Sequence, residues 1–359
     1  MGRYHNFSAG PAALPLPVLD EAQRELLDFG HGASILETSH RSAEFTGVLD
    51  QANASLRELA GIPETHDILW LQGGASMQFA MVPLNFLKSG QTGAYVMTGT
   101  WSDKALVEGQ LVGDTTVAAS SKETGYDHIP AAEDWTIPEN AAFVHTTSNN
   151  TIFGTQFSAF PADVGAPLVC DMSSDILCRP TDFGKFDLVY AGAQKNLGPS
   201  GVTLAIVRKD WLKESRTDIS KFLRYATHAE KGSTYNTPPV YPIYLVGKVL
   251  AWLKSEGGLE AMHAQNQAKA KRVYDLIDDN PGFYKGHARR DSRSLMNITF
   301  NLPSPELEAQ FVAEAKKEGL VGLKGHRSVG GIRASIYNAV PPASVEALAT
   351  FMERFLKAN

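Results

Sequence analysis

The stretch "APLVCDMSSDILCRPTDFGKFDLVYAGAQKNLG" (166–198) contains two short apolar runs, "APLVCD" (166–171) and "DLVYAG" (187–192). Runs this short, without polar alternation, suit strands covered on both faces, as in a parallel sheet flanked by helices. The first run closes on Asp171, and the second enters a Gly/Pro-rich turn that carries Lys195. Five more runs share the character: "DILWLQ" (67–72), "TGAYVM" (92–97), "TTVAAS" (115–120), "AAFVHTT" (141–147) and "VTLAIVR" (202–208). Helical patterns lie between several of them, and another, "RSAEFTGVLDQANASLRELAG" (41–61), precedes the first. The alternation predicts an α/β fold with a mostly parallel seven-stranded sheet.

After "YPIYLVGKVLAWLKSEGG" (241–258), a long helix ended by paired glycines, the pattern changes. It becomes helix, "LMNITF" (295–300), helix, "GIRASI" (331–336), helix. This reads as a smaller α+β domain over 258–359, joined by the N-terminal segment 1–15, beside a large domain over 16–257.

At 359 residues, soft size rules allow roughly two to three domains. The 43% hydrophobic and 20% charged content is that of an ordinary soluble protein. A net charge of −6 argues against nucleic acid or an anionic membrane as partner, and leaves room for a small anion held by local arginines. Cys170 and Cys178 cannot build a disulfide framework or a zinc site, so no metal and a reducing compartment are expected. The start, "MGRYHNFSAGPAALP", has no apolar signal core, and no run approaches a ~20-residue membrane span. The expectation is a cytoplasmic protein.

Ligands of open parallel sheets gather at the carboxyl ends of the strands. Three such ends carry notable groups: "QGGASMQF" (72–79), Asp171 and Lys195. Each alone has an ordinary reading, as a turn, a helix cap and a solvated lysine. Together they supply what pyridoxal phosphate needs. A glycine pair opening a helix offers backbone N–H groups to a phosphate, a carboxylate meets the pyridine nitrogen, and an amine condenses with the aldehyde. Trp101, in "TGTWSDKA" (98–105), adds a flat stacking surface after the 92–97 run.

"NFSAGPAALP" (6–15), "SHRS" (39–42), "YAGAQKNLGPSG" (190–201), "YNTPP" (235–239) and "LKGHRSVGGIRASIYNA" (323–339) closely resemble the phosphoserine aminotransferases, in order and over nearly the whole chain. These are class V aminotransferases of the fold type I pyridoxal-phosphate enzymes. The resemblance implies that Lys195 binds the cofactor covalently and then carries protons, while Asp171 meets the pyridine nitrogen. It makes Trp101 the stacking aromatic, Thr151 the partner of the ring oxygen, Gln194 a further contact, and Ala75 and Ser76 part of the phosphate cradle. Asn236 and Thr237 would reach the phosphate from a neighbouring subunit, which implies a homodimer. Arg333 would clamp the substrate α-carboxylate. His40, Arg41, His326 and Arg327 would receive the substrate phosphate or the side-chain carboxylate of glutamate, some from the partner subunit.

The implied reaction moves an amino group between L-glutamate and 3-phosphohydroxypyruvate, giving O-phospho-L-serine and 2-oxoglutarate by a ping-pong route in serine biosynthesis. A second substrate, 4-phosphohydroxythreonine in pyridoxine synthesis, stays open. Some family members carry arginine where this chain has Ser76, which shifts the burden of phosphate binding to the two His-Arg pairs. Two rival readings remain at this level. One is another class V enzyme, such as a serine–glyoxylate aminotransferase or a cysteine desulfurase, although both cysteines precede Lys195. The other is a non-catalytic pyridoxal-phosphate binder, although no basic recognition helix is present.

Overall fold

A computed structural model of the chain describes residues 3–30 and 32–359. All seven predicted runs become strands of one sheet. They are β1 (His66–Leu71), β2 (Thr92–Met97), β3 (Asp114–Ser120), β4 (Ala141–Thr147), β5 (Leu168–Asp171), β6 (Leu188–Gly192) and β7 (Thr203–Arg208). Their spatial order is β1-β7-β6-β5-β4-β2-β3. The sheet is mostly parallel; β7 runs antiparallel to both of its neighbours, β1 and β6.

Every residue of β5 and β6 is buried, as their unbroken apolar character predicts. Alternate side chains feed two cores. Leu168, Cys170, Val189, Leu204 and Ile206 face one, and Val169, Leu188, Tyr190, Ala205 and Val207 face the other. The first core is covered by the helices Ala43–Ala60 and Val240–Ser255, through residues such as Phe45, Leu56, Val246 and Leu250. The second is covered by Gly74–Phe86 and Thr100–Gln110, through Phe79, Val82 and Ala105.

Local chemistry fixes where these helices begin and end. Ser42 caps Ala43–Ala60, its hydroxyl accepting from Phe45 N at 3.3 Å, and Gly61 closes the helix at φ 62°. Gly73 precedes Gly74–Phe86 at φ 88°, a conformation that L side chains rarely adopt.

Beyond the helix Gly258–Asp279 lies a three-stranded antiparallel sheet of Lys285–Gly286, Asn297–Asn301 and Ile332–Ser335. It packs with the helices Pro305–Lys317 and Pro342–Ala358 around a third core that includes Phe300, Phe311, Phe351 and Phe355. The N-terminal segment joins this core through Phe7 and Ala13, and His5–Asn6 pairs in parallel with Leu320–Val321. That pairing and the hairpin of Asn149–Asn150 with Thr155–Gln156 were not predicted, because two-residue strands carry no readable period. Among the described residues, no helix is long and apolar enough to cross a membrane.

Candidate active site

Asp171 ends β5 and stands in register with Tyr190 on the adjacent parallel strand β6. Five residues beyond Tyr190, the chain turns through Lys195. Glycines make this turn. A Cβ on Gly192 would lie 2.8 Å from Gln194 Oε1, and one on Gly198 would lie 2.9 Å from Val246 Cγ2. A larger residue at Gly198 would push the turn off the helix behind it, and one at Gly192 would displace the Gln194 side-chain amide.

Asp171 is buried, and burial pushes its carboxyl above the ordinary range. The positive charge of Lys195 and hydrogen bonds from Ser173 pull the other way. One of those bonds is Ser173 N donating to Asp171 Oδ1 at 2.9 Å. Ser173 is itself fixed, its hydroxyl accepting from Gly192 N at 3.0 Å, so the two strand ends are tied together.

Lys195 is half-buried, and its Nζ donates to Thr151 Oγ1 at 2.8 Å. Burial lowers its ammonium to about 8; the Arg333 charge adds to the fall, while Asp171 and Asp175 oppose it. Its amine lies 5.1 Å from the centre of the Trp101 ring. Trp101 Nε1 is buried without a hydrogen-bond partner among the described residues.

Thr151 follows Asn149–Asn150 at the turn of the small hairpin and serves two cations at once. Its hydroxyl takes the Lys195 bond, and its carbonyl accepts a long contact, 3.5 Å, from Arg333 Nη1. Arg333 lies on Ile332–Ser335, opposite Thr299, and its Nε is buried without a partner among the described residues. His326 joins this positive zone. Its imidazolium is disfavoured, first by burial and then by the charges of Arg333, Arg327 and Lys104. His326, Arg333, Phe153 and His287 line a pocket of about 260 Å³.

Not every predicted site residue meets in this chain. Ala75 and Ser76 occupy the first turn of Gly74–Phe86, where backbone N–H groups have no intrahelical acceptor. Gln194 sits beside Lys195, its carbonyl accepting from Ala12 N at 2.9 Å, so the "NFSAGPAALP" segment lies against the turn. Asn236 and Thr237 lie near Gln72, whose Nε2 donates to Thr237 O at 2.9 Å. His40 and Arg41 lie in the turn before Ala43–Ala60. Among the described residues, no hydrogen bond or ion pair joins any of these four to Lys195 or Arg333.

Two charged residues were missed by the sequence reading. Asp175 is a second buried carboxylate behind Asp171, bonded by the Ser148 hydroxyl and by Gln156 Nε2 at 2.9 Å. Lys104 lies 4.7 Å from the centre of the Trp101 ring. Spacing gave a faint signal for both, since Asp175 stands four residues after Asp171 and Lys104 one helical turn after Trp101.

A family model described as Aminotransferase class-V matches residues 4–348. The phosphoserine aminotransferase of Halalkalibacterium halodurans is 55% identical over 360 residues, covering 100% of both chains. That of Bacillus subtilis is 54% identical with the same coverage. The solved phosphoserine aminotransferase of Bacillus circulans subsp. alkalophilus superposes with a TM-score of 0.98 at 56% identity, covering 99% of each chain. A pyridoxal-phosphate-bound phosphoserine aminotransferase from Trichomonas vaginalis gives 0.93 at 38% identity, covering 98% of this chain and 100% of that one.

The lowered ammonium has a direct consequence. An amine attacks an aldehyde in its neutral form, and half of Lys195 is neutral near pH 8 rather than near the ordinary value of ~10.4. Uptake of pyridoxal phosphate by cofactor-free protein, followed by absorbance, is expected to accelerate with pH and level off above about 8. A rate still climbing well beyond that value would contradict the assignment.

Proposed function

The chain belongs to the class V aminotransferase family, and from that premise we propose that it transfers the amino group of L-glutamate to 3-phosphohydroxypyruvate. The products are O-phospho-L-serine and 2-oxoglutarate, formed in two half-reactions. The observation that carries this reading is the junction at Thr151, which brings to one residue a lysine of lowered basicity and an arginine whose buried Nε has no partner among the described residues.

The donor set fits pyridoxal 5'-phosphate. Lys195 offers an amine, Asp171 a buried carboxylate, and Trp101 an indole whose buried N–H lacks a partner among the described residues. When bound, the cofactor supplies an aldehyde and a ring that draws electrons from the substrate α-carbon. Asp171, whose charged form Lys195 and Ser173 favour against burial, would meet the pyridine nitrogen and favour its protonated form. The Ala75 and Ser76 N–H groups, at the positive end of their helix, would hold the cofactor phosphate. Gln194 braces the Lys195 turn.

Lys195 Nζ takes the proton from the substrate α-carbon, a task suited to an amine whose ammonium is lowered to about 8. Arg333 binds the α-carboxylate that both substrates share, as a planar guanidinium does best. His326 and Arg327 then meet the distal phosphate or carboxylate. Because Ser76 brings no charge to the glycine-rich loop, the phosphate relies on the His-Arg pairs, with Lys104 over the indole ring. Use of 4-phosphohydroxythreonine is compatible with the same arrangement of charges.

We read the positions of His40, Arg41, Asn236 and Thr237, none bonded to Lys195 in their own chain, as contributions to a second copy's site in a homodimer. Half-exposed Tyr235 beside Asn236 supports a covered surface there. Two buried free thiols suit a reducing, cytoplasmic setting. The separate third core supports a division near Gly257–Gly258, with the described part of the N-terminal segment, residues 3–15, joining the second domain.

Mixing holoenzyme with O-phosphoserine is expected to bleach the absorbance of the lysine-bound cofactor, with serine far less effective. Equal response to serine would overturn the phosphate assignment, and no response to O-phosphoserine would overturn the reaction. Co-expressing Lys195→Ala and Arg41→Ala chains tests the shared site. Hybrids are expected to regain activity that neither parent has, because one of their two sites carries neither defect; absence of recovery would place Arg41 in its own chain's site.

A further inference from the structure

Behind the site lies a buried polar lattice that the reaction as described does not use. Lys269, on the helix Gly258–Asp279, is 3% exposed and faces no carboxylate within salt-bridge distance among the described residues. Its Nζ donates to three backbone carbonyls: Ile336 O at 3.0 Å, Tyr337 O at 2.8 Å and Val340 O at 3.1 Å. An ammonium has three N–H groups, so this set uses all of them. The carbonyls belong to the segment that follows Arg333 directly.

Asn338 stands in the middle of that segment and is bonded on three sides. Its backbone N–H donates to Asn196 Oδ1 at 2.9 Å. Its Nδ2 donates to Leu177 O at 2.9 Å, and its Oδ1 accepts from Asn266 Nδ2 at 2.8 Å. Asn266 lies one helical turn before Lys269, on the same face, and also donates to Cys178 O at 3.0 Å. Asn196, the residue after Lys195, donates to Ile176 O at 2.7 Å. Asn196, Asn266 and Asn338 are all buried.

The lattice therefore joins the three backbone segments that carry the site's ionised groups. Residues 176–178 follow Asp171, Asn196 follows Lys195, and 336–340 follow Arg333. The side chains of Lys195 and Arg333 meet in front, at Thr151; their backbones meet behind, at Asn338. A shift of Asn338 cannot be absorbed by one segment alone, because each of its bonds ends on a different one.

We propose that Asn338 is a positioning residue: held by Asn266 and flanked by the Lys269 bonds, it fixes the Arg333 segment against the Lys195 turn and so sets the spacing between guanidinium and amine. This rests on the reading that Arg333 takes the substrate α-carboxylate. Both substrates share that carboxylate, so the lattice governs their binding in common and does not discriminate between phosphorylated and plain donors.

The test uses holoenzyme carrying Asn338→Ala, which removes the side-chain bonds to Leu177 O and Asn266 that hold the residue 338 N–H on Asn196 Oδ1, normalised to bound cofactor, with two readouts. The KM values for L-glutamate and O-phosphoserine are expected to rise together, on the order of tenfold, as a misplaced clamp requires. Backbone hydrogen exchange is expected to quicken in both 193–198 and 332–337, while the helix Pro342–Ala358 keeps its protection. KM values within about twofold of the unsubstituted enzyme, or quickened exchange in one segment alone, would overturn the proposal. Should Asn338→Ala fail to fold, Asn266→Ala removes the Oδ1 partner and reads the same signals. Arg333→Lys separates this proposal from the reading beneath it. If Arg333→Lys leaves both KM values unchanged, the carboxylate assignment fails; if it raises them while Asn338→Ala does not, the positioning role alone fails.

Discussion

A carboxylate and an amine held at the ends of two adjacent buried strands are the constraint on which the rest of this structure depends. Removing either charge from water costs several kcal/mol unless the other and a set of hydrogen bonds offset it. Burial pushes the Asp171 carboxyl up while Lys195 and Ser173 favour its charged form, and burial and Arg333 lower the Lys195 ammonium. Much of the surrounding chain serves that balance. Gly192 and Gly198 let the turn come close, Ser173 ties β5 to β6, and Asp175 and Ser148 support the backbone behind Asp171.

The two cores follow from the same arrangement. A sheet whose central strands are buried on both faces must be covered on both, and the alternation of Val169 against Cys170 and of Val189 against Tyr190 divides the side chains between them. Parallel strands then bring their carboxyl ends, and with them Asp171, to one edge of the sheet. The fold thus places the chemistry before any single contact refines it.

Much of this was legible in the sequence because it rests on local pattern. The seven apolar runs became seven strands of one sheet, and the Gly73–Gly74 pair opened a helix as its spacing implied. Lys195, Asp171 and Trp101 could be singled out because strand ends are where chemistry is expected, and the fold brings the Lys195 amine within 5.1 Å of the Trp101 ring centre. The antiparallel course of β7 was not legible, since direction leaves no mark on a run of six apolar residues. Nor were the pairings that join distant segments, such as Asn338 with Asn196 or Thr151 with Arg333. Asparagines in a sequence read as turn or surface residues, and their burial becomes visible when helix Gly258–Asp279 is laid behind the site.

The mutual influence of Asp171 and Lys195 is the claim most open to direct measurement. Cofactor-free protein with carbon-13 at the lysine ε position allows the Lys195 amine to be titrated by NMR in the unsubstituted chain and in Asp171→Asn. The negative charge of Asp171 holds the amine up against burial. Its removal is therefore expected to move the Lys195 midpoint below its starting value of about 8. A midpoint that stays in place or rises would show that the two groups do not form the coupled pair on which the site is built.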